Sequence, residues 1–226
     1  FRVGTGELAD SLALDEVIPY SQQLIPFFNQ RENAVLELKT KSNCVKNLLN
    51  QDSTQNVIVS WSLNPQVIIE QEEKGTPNLE QRLEAARLCA NKGYKIGIHF
   101  DPIIIYPDWE RDYHDMVKRI FEVLSPQQIE WISLGSFRFR KSLKKIINER
   151  HKNTRLFTGE HIASKDGKHR YLRSLRNGAY KNLRQLLKSI SSDLDVYVCM
   201  ETKEIWEGVT GKMPRSDEKL DKFFDL

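Results

Sequence analysis

The sequence predicts an α/β fold built on a parallel, barrel-like sheet, and three observations support this. Short apolar runs rich in β-branched residues alternate with amphipathic runs of helical period along most of the chain. Proline comes directly after two of the apolar runs, at Asn64-Pro65 and Asp101-Pro102, and it biases the residue before it away from helix. Polar side chains recur where the predicted strands end, which is the edge at which parallel α/β sheets bind ligands.

The alternation of elements can be followed from one end of the chain to the other. Six strands are predicted, over residues 1–6, 34–38, 57–63, 94–100, 129–134 and 196–200. The segments between them have helical patterns, which predict a helix interrupted by prolines over 8–29 and helices over 45–49, 79–92, 108–124, 138–150 and 180–190. Gly93 ends the third of these helices, and a glycine-containing loop is predicted over 164–167. The tail over 204–226 is predicted to be partly helical.

Length and composition are those of an ordinary water-soluble protein. The chain has 226 residues, of which 39% are hydrophobic. We expect residues 1–136 to form the main sheet and residues 137–226 to add its last helix and a basic carboxyl-terminal extension in the same compact unit. No apolar run reaches the ~20 residues of a membrane span, and no secretory leader is recognisable. Three widely spaced cysteines predict a reducing, cytoplasmic setting, and they are Cys44, Cys89 and Cys199.

The net charge of +3 conceals a strong segregation of charge. Between residues 136 and 190 the sequence carries 16 Lys and Arg against three acids, a net charge of +13, and the rest of the chain carries −10. Such a basic segment predicts an anionic partner, with nucleic acid as the first candidate. The alternative interpretation is a solvated basic helical surface.

Polar residues at the ends of successive predicted strands form the candidate site. A rim with a carboxylate, an ammonium group and several hydroxyls suits a zwitterionic ligand that carries a sugar. In that interpretation Lys41 binds the carboxylate, Glu7 the amine, and Ser62 or Asn64 the sugar hydroxyls. Each has a structural alternative, since Glu7 is also suited to cap a helix and Asn64 to form a turn. The other rim candidates are Thr5, Ser42, Ser60, His99, Asp101 and Ser136.

The most specific motif of the sequence lies in the middle of the chain, in the run KGTPNLEQRLEAARLCANKGYKIGIHFDPII. Its spacing, together with several other stretches, resembles that of the spore photoproduct lyase family of radical S-adenosylmethionine (AdoMet) enzymes. The resemblance covers the chain from residue 1 to about residue 200. The other stretches that carry it are GTGE at 4–7, LELKTKS at 36–42, SWSLNPQVI at 60–68 and NERHKNTRL at 148–156.

The resemblance implies a partial (βα)6 barrel of the radical AdoMet type, with residues 1–136 supplying strands 2 to 6 and the first strand missing. It further implies AdoMet and a 4Fe-4S cluster at the carboxyl ends of the strands. By the family's pattern the cofactor residues are Glu7 for the methionine amine, Lys41 for the carboxylate, Ser62 and Asn64 for the ribose, and Asp101 near the adenine. The activity implied for the full-length protein is DNA repair or nucleic-acid modification through a 5′-deoxyadenosyl radical, with flavodoxin or ferredoxin as reductant.

Two departures from the family's pattern bear on these expectations. The family's C-x3-C-x2-C cluster motif does not occur in this sequence, so we expect a carboxyl-terminal fragment of a longer enzyme that does not hold the cluster by itself. Thr5 or Gly6 stands where the family has the cysteine that returns a hydrogen atom to the substrate radical. The native hydrogen donor and the lesion are therefore left open.

The resemblance places a basic segment against DNA, and the best equivalent lies near residues 165–180. The residues predicted to contact nucleic acid are Lys168, Arg170, Tyr171, Arg173 and Arg176, with Tyr180 a second candidate for stacking on a base. Two alternatives from other classes stay open. One is a nucleic-acid-binding module on a catalytically incomplete barrel. The other is a divalent-metal hydrolase that uses Glu7, His99 and Asp101.

Overall fold

The computed structural model describes residues 1–6, 9–52 and 56–212. Strands and helices alternate through the first two thirds of this range, as the hydrophobic pattern predicts. Along the chain they are β1 (Arg2–Thr5), α1 (Tyr20–Asn29), β2 (Val35–Thr40), α2 (Lys46–Leu49), β3 (Val57–Ser62), α3 (Gln66–Glu72), α4 (Leu79–Lys92), β4 (Lys95–Ile103), α5 (Trp109–Val123) and β5 (Ile129–Ser136).

The last third adds a small sheet and completes the large one. Its elements are β6 (Arg138–Arg140), α6 (Lys141–Arg150), β7 (His161–Ala163), β8 (Lys168–Tyr171), α7 (Arg173–Ile190), β9 (Val196–Val198) and α8 (Lys203–Thr210). The large sheet has the order β1-β2-β3-β4-β5-β9, and every neighbouring pair is parallel. Strands β6, β8 and β7 form a separate antiparallel sheet. The part of the chain after residue 136 therefore contributes a strand to the main sheet.

The large sheet is curled, so that its two edge strands approach each other. Arg2 on β1 donates a hydrogen bond to the hydroxyl of Tyr197 on β9 at 3.4 Å. The same guanidinium lies over the ring of Trp131, 4.8 Å from its centroid. These contacts join side chains on the concave face of the sheet, so that face encloses an interior of its own.

Apolar side chains fill both faces of the sheet. The larger core lies between the sheet and the helices, and it includes Leu36, Val59, Leu83 and Ile120. Inside the curl, Val35, Ile58, Trp131 and Tyr197 form a separate cluster near the amino ends of the strands. Burial of apolar surface on both faces explains why the central strands have continuous apolar sequences. Among the described residues, no helix is both long and apolar enough to cross a bilayer.

Helix α4 confirms the strongest local prediction. The Asn78 side chain accepts from the backbone N–H of Gln81, and the Gln81 side chain accepts from the backbone N–H of Asn78, which forms a complete capping box. Gly93 ends the helix with a backbone φ angle of 105°, which residues other than glycine rarely adopt.

The structure differs from the predictions at several elements. Helix α1 begins only after Pro19, and strands β7 and β8 were not predicted. Residues 138–140 form strand β6 rather than the start of a helix, because Phe137 and Phe139, two residues apart, both pack into one aromatic cluster. Strand β4 continues past Asp101-Pro102 to Ile103. Helix α3 was not predicted, since it is only seven residues long. Helix α7 begins at Arg173, seven residues before the predicted start. Its first turns were missed because a charged residue, Arg176, lies on the buried face and interrupts the apolar pattern.

Candidate functional site

The carboxyl ends of the parallel strands meet along one edge of the curled sheet, which we call the rim. Thr5 ends β1, and Lys41 follows β2 directly. Ser62 ends β3, Asp101 lies near the end of β4, and Ser136 ends β5. The parallel topology therefore brings the predicted strand-end residues to one side of the molecule.

Lys41 and Asn64 are brought together by a carboxylate that the sequence did not single out. Lys41 Nζ lies 3.4 Å from Oε1 of Glu73, and Asn64 Nδ2 donates to the same oxygen at 2.9 Å. The other amide atom of Asn64 accepts from the hydroxyl of Tyr113 at 2.7 Å. Asn64 is only 1% exposed, so in this structure its side chain holds the rim together. Lys41 keeps a side chain 31% exposed.

Arg82 holds the carboxylate of Glu73 in place. It is fully buried on the inner face of α4, and its Nη2 donates to Oε2 of Glu73 at 2.6 Å and to the hydroxyl of Thr76 at 2.7 Å. Its Nη1 donates to the carbonyl of Ser62 at 3.0 Å. Burial alone would raise the pKa of Glu73, but the charges of Lys41 and Arg82 outweigh it and lower that pKa. Glu73 is therefore ionised and held in one orientation.

Asp101 lies in a separate ion pair on the rim. Arg138 donates to both of its carboxylate oxygens, at 2.9 and 3.0 Å. Burial would raise the pKa of Asp101, but the hydrogen bonds and the charge of Arg138 lower it. A methyl group on Gly135 would meet the Asp101 carboxylate at 2.7 Å, so this glycine makes room for the pair.

A buried polar network lies inside the curl, below the rim. Ser133 Oγ lies 2.6 Å from His99 Nδ1, and His99 Nε2 lies 2.7 Å from Oε1 of Glu37. Ser60 donates to that same oxygen at 2.7 Å, and Arg2 Nε lies 3.6 Å from Oε2. A neutral imidazole with its proton on Nε2 satisfies every contact, with the Ser133 hydroxyl as donor to Nδ1.

The network shifts the pKa values of its two titratable groups in the same direction. Burial would raise the pKa of Glu37, but the hydrogen bond and charge of His99, together with Arg2 and Ser60, lower it to about 2. Burial lowers the pKa of His99 although its hydrogen bond to Glu37 acts against this. His99 is 5% exposed and fully occupied by Glu37 and Ser133, so it is a core histidine.

Residues 2–197 of this chain match the family described as spore photoproduct lyase. The match extends over far more than half of the chain. The chain belongs to the spore photoproduct lyase family. The resemblance in the sequence is thereby confirmed.

Named spore photoproduct lyases are similar to this chain over two thirds of its length. The enzyme of Clostridium acetobutylicum is 26% identical over 149 residues, and that of Bacillus subtilis strain 168 is 28% identical over 151 residues. Each alignment covers 66% of this chain and 44% of the relative. The chain thus spans less than half the length of these lyases.

Solved structures of spore photoproduct lyases share the fold. A double mutant with bound AdoMet and dinucleoside spore photoproduct superposes with a TM-score of 0.80 at 24% identity. A lyase complexed with dinucleoside spore photoproduct gives a TM-score of 0.78 at the same identity. Both comparisons cover 88% of this chain and 61% of the lyase. They support an α/β fold with a curled, parallel half-barrel sheet.

The structure brings together some of the residues suggested by the resemblance to spore photoproduct lyases and keeps others apart. Lys41, Ser62 and Asn64 meet around Glu73 and Arg82, whereas Asp101 is held apart by Arg138. Glu7 lies outside the described residues. Thr5 bonds to Ser11 Oγ at 2.8 Å and to the carbonyl of Glu37 at 3.1 Å.

Most of the predicted nucleic-acid contacts are engaged within the protein. Arg170, 5% exposed, donates to both carboxylate oxygens of Asp166 at 2.6 and 2.7 Å. Arg176, 4% exposed, donates to Glu201 at 2.8 Å. The tyrosines fit the structural alternative, since Tyr171 and Tyr180 are both buried and bond to backbone N–H groups. Lys168 is half-buried and Arg173 is exposed.

Three functional candidates escaped sequence reasoning, namely Glu37, Glu73 and Arg82. A signal for Arg82 was present, because it shares the apolar face of α4 with Leu79 and Leu83. A charged residue on such a face needs a buried partner. Glu37 likewise interrupts an apolar strand.

The described residues do not fit an iron-sulfur cluster. No group of three or more His, Cys, Asp or Glu among them is placed to hold a metal ion, which also disfavours a hydrolase built on His99 and Asp101. The three cysteines form no disulfide. Burial raises the pKa of Cys89 to about 12 and that of Cys199 to about 11, so both thiols stay protonated.

Proposed function

We propose that this chain belongs to a DNA-repair lyase that uses AdoMet, and that it builds the wall of the site that binds this cofactor. The observation that carries the proposal is the Lys41–Glu73 pair on the rim of a chain that matches the spore photoproduct lyase family. Support comes from a structural neighbour whose bound molecules are AdoMet and a dinucleoside spore photoproduct. The six parallel strands are interpreted as part of a barrel of the (βα)6 type.

The rim suits the charges of AdoMet. The ligand carries a carboxylate, an ammonium group and ribose hydroxyls, and the rim offers a partly exposed ammonium group beside a fixed carboxylate. We assign Lys41 to the AdoMet carboxylate, with Glu73 orienting it. Glu7, Ser62, Asn64 and Asp101 remain proposed cofactor residues for the amine, the ribose and the adenine.

In the full-length protein, the resemblance to the family implies that AdoMet would be the source of a 5′-deoxyadenosyl radical, with a 4Fe-4S cluster and a reductant such as flavodoxin or ferredoxin supplying the electron. The described residues do not fit such a cluster, so no step through it is assigned to them. Their part is to bind and orient. The arginine-anchored carboxylates Glu73 and Asp101 hold the rim rigid, which keeps a bound ligand in one position.

The proposed substrate is a damaged nucleic acid, with the spore photoproduct as the leading candidate. This rests on the family and on the neighbours that hold a dinucleoside form of that lesion. Thr5 at the end of β1 cannot act as a hydrogen-atom donor in the way a thiol does, so the substrate radical is proposed to be quenched by another group.

Two experiments test the proposal. Calorimetric titration of AdoMet into the purified protein and its Lys41→Gln variant measures the role of the rim. We expect Lys41→Gln to weaken binding at least tenfold, and the control Lys46→Gln, exposed at the start of α2, to leave it unchanged. Equal affinity in all three proteins contradicts the assignment of Lys41.

The second experiment tests the reaction. The full-length protein is reconstituted anaerobically with iron and sulfide, reduced, and mixed with AdoMet. Release of 5′-deoxyadenosine is the expected result. If no reductant produces it, the proposed chemistry is wrong.

A further inference from the structure

Helix α6 differs from the other long helices because it is almost entirely exposed. None of its ten residues is buried, and its apolar residues Leu143 and Ile146 are 45% and 42% exposed. Helices in globular proteins usually form because an apolar face packs on a core. Helix α6, with the sequence KSLKKIINER, instead presents a basic surface that is exposed to solvent.

The cations of α6 and of residues 150–155, together called the α6 surface, have only one carboxylate partner among the residues that the structure describes. The single ion pair they make within the described residues is Lys145 with Glu149, at 3.9 Å. Three arginines elsewhere on the predicted basic segment are neutralised by carboxylates, namely Arg138 by Asp101, Arg170 by Asp166 and Arg176 by Glu201. Within residues 1–6, 9–52 and 56–212, the exposed side chains of this surface that make no ion pair are Lys141, Lys144, Arg150, Lys152 and Arg155.

The α6 surface borders a cavity of about 420 Å³ beside the rim. Arg150 and Lys152 line one side, and Glu72 and Lys74 at the end of α3 line the other. The Glu72 carboxylate is occupied, since it accepts from the hydroxyl of Thr154 at 2.7 Å and from the backbone N–H of residue 155 at 2.8 Å. The next residue after Glu72 is Glu73, which orients Lys41, so the cavity adjoins the candidate cofactor site.

We propose that the α6 surface binds the sugar-phosphate backbone of a nucleic acid strand and leads it along this cavity to the rim. The exposed lysines and arginines of this surface carry the charge that phosphates attract, and they can contact phosphates without breaking an internal ion pair. Arg170 on β8 and Arg176 on α7 are structural under this assignment. The identity of the ligand rests on the proposed function, whereas the anion-binding surface rests on charge and exposure alone.

An anionic membrane is the competing partner for a basic amphipathic helix. The structure favours nucleic acid for two reasons. Helix α6 is ten residues long with only three apolar side chains, which is a small area to insert into lipid. The positive charge continues from the helix into a concave cavity, which a flat bilayer cannot enter.

The test is the binding of a labelled DNA duplex and a labelled single strand, measured by fluorescence anisotropy at several salt concentrations. The variant Lys144→Gln/Arg150→Gln/Lys152→Gln removes three cations of the α6 surface. We expect at least tenfold weaker binding. The slope of log K against log salt is expected to become shallower by about 2.7 for duplex DNA, which is about 0.9 for each lost phosphate contact.

The matched control is Arg31→Gln/Lys92→Gln/Lys118→Gln, which removes the same charges from exposed positions away from the rim. Each variant also removes one cation that lies over an aromatic ring. Arg31 is 4.5 Å from the centroid of the Phe27 ring, and Lys144 is 5.4 Å from that of Phe157. We expect the control to retain the affinity of the parent protein. Equal weakening by both variants overturns the proposal, and so does unchanged binding by the α6 variant.

A third arm replaces DNA with vesicles of phosphatidylcholine and phosphatidylserine. Sedimentation of the parent protein with these vesicles, lost in the α6 variant, assigns the surface to a membrane and overturns the proposal. None of these measurements requires AdoMet or a cluster. Failure of the α6 surface is therefore distinguishable from failure of the lyase chemistry.

Discussion

At the scale of single residues, the candidate site is organised by buried carboxylates, each held by an arginine or a histidine. Glu73 is held by Arg82, Asp101 by Arg138 and Glu37 by His99. A buried carboxylate that loses its partner keeps its desolvation penalty, so these pairs are costly to break. They fix the orientation of the rim more than they add to net stability.

The Arg82 pair gives the first prediction. Arg82→Met leaves Glu73 buried and without its closest cation, and we expect the free energy of unfolding to fall by about 3–5 kcal/mol. Urea denaturation followed by circular dichroism measures it. Arg87→Met is the control, because Arg87 lies on the solvent side of the same helix in an exposed pair with Glu84. An equal loss of unfolding free energy in both variants would mean that the buried pair contributes no more than the exposed one.

The Glu37 network gives a pH dependence. The folded-state pKa of Glu37 is about 2 against an ordinary value of 4.5, so its contribution of roughly 3 kcal/mol is present above pH 4.5 and is lost as pH falls towards 2. His99 acts in the same direction, because burial lowers its pKa and the unfolded chain takes up that proton first below pH 6.5. We expect stability to decline from neutral to acid pH.

Urea midpoints measured across this range test the prediction. Glu37→Gln is expected to be less stable at neutral pH and to have a flatter profile below pH 4.5, because the titrating group is gone. The exposed control Glu16→Gln is expected to follow the parent protein. A Glu37→Gln profile as steep as that of the parent would refute the assignment.

At the scale of elements, two glycines have opposite roles. Gly97 on β4 faces the interior of the curl, where an added methyl group would meet Ser60 Cβ at 2.7 Å and Trp131 Nε1 at 2.9 Å. Gly178 lies within α7, and an added methyl group there meets nothing within 4 Å. The first glycine is required by close packing, whereas the second lowers the stability of its helix.

These positions give a paired prediction. Gly97→Ala is expected to lower the free energy of unfolding by about 1–3 kcal/mol through overpacking. Gly178→Ala is expected to raise it by about 0.5–1 kcal/mol, because alanine has the higher helix propensity. Thermal and urea denaturation measure both, and each variant serves as control for the other. A stabilising Gly97→Ala would mean that the interior of the sheet is loosely packed.

The sequence predicted strands and long helices better than short or charged elements. The strands and α4 have apolar periodicity and clear caps, which are local signals. Strand β6 was mistaken for helix because three residues are too few to show a period of two. The inner face of α7 includes Arg176, whose charge hides the helical pattern until its partner Glu201, 25 residues away, is known.

At the scale of the molecule, stability should differ sharply between the sheet and α6. The central strands β3 and β4 are buried on both faces, whereas α6 buries no residue. Local opening costs least where few apolar contacts must be broken. The same exposure that frees α6 to bind a polyanion therefore leaves it weakly protected.

Native-state hydrogen exchange measured by mass spectrometry tests this contrast. Peptides covering Val57–Ser62 and Lys95–Ile103 are expected to exchange slowest, and those covering Lys141–Arg150 fastest among the helices. Helix α4, buried along one face, is the internal reference. An α6 protected as strongly as α4 in the free protein would mean that another surface covers it.

The sequence by itself determined the class of fold, the positions of the strands of the large sheet and the polar character of the rim. It could do so because strand alternation, helix caps and proline breaks act over a few residues. Only the tertiary structure decided which charges are free. Lys41 meets Glu73 across 32 residues and Asp101 meets Arg138 across 37, and pairs this distant leave no local pattern. For the same reason the sequence shows the basic segment only as a block of charge, and its internally paired arginines and the exposed cations of α6 could be separated only in the fold.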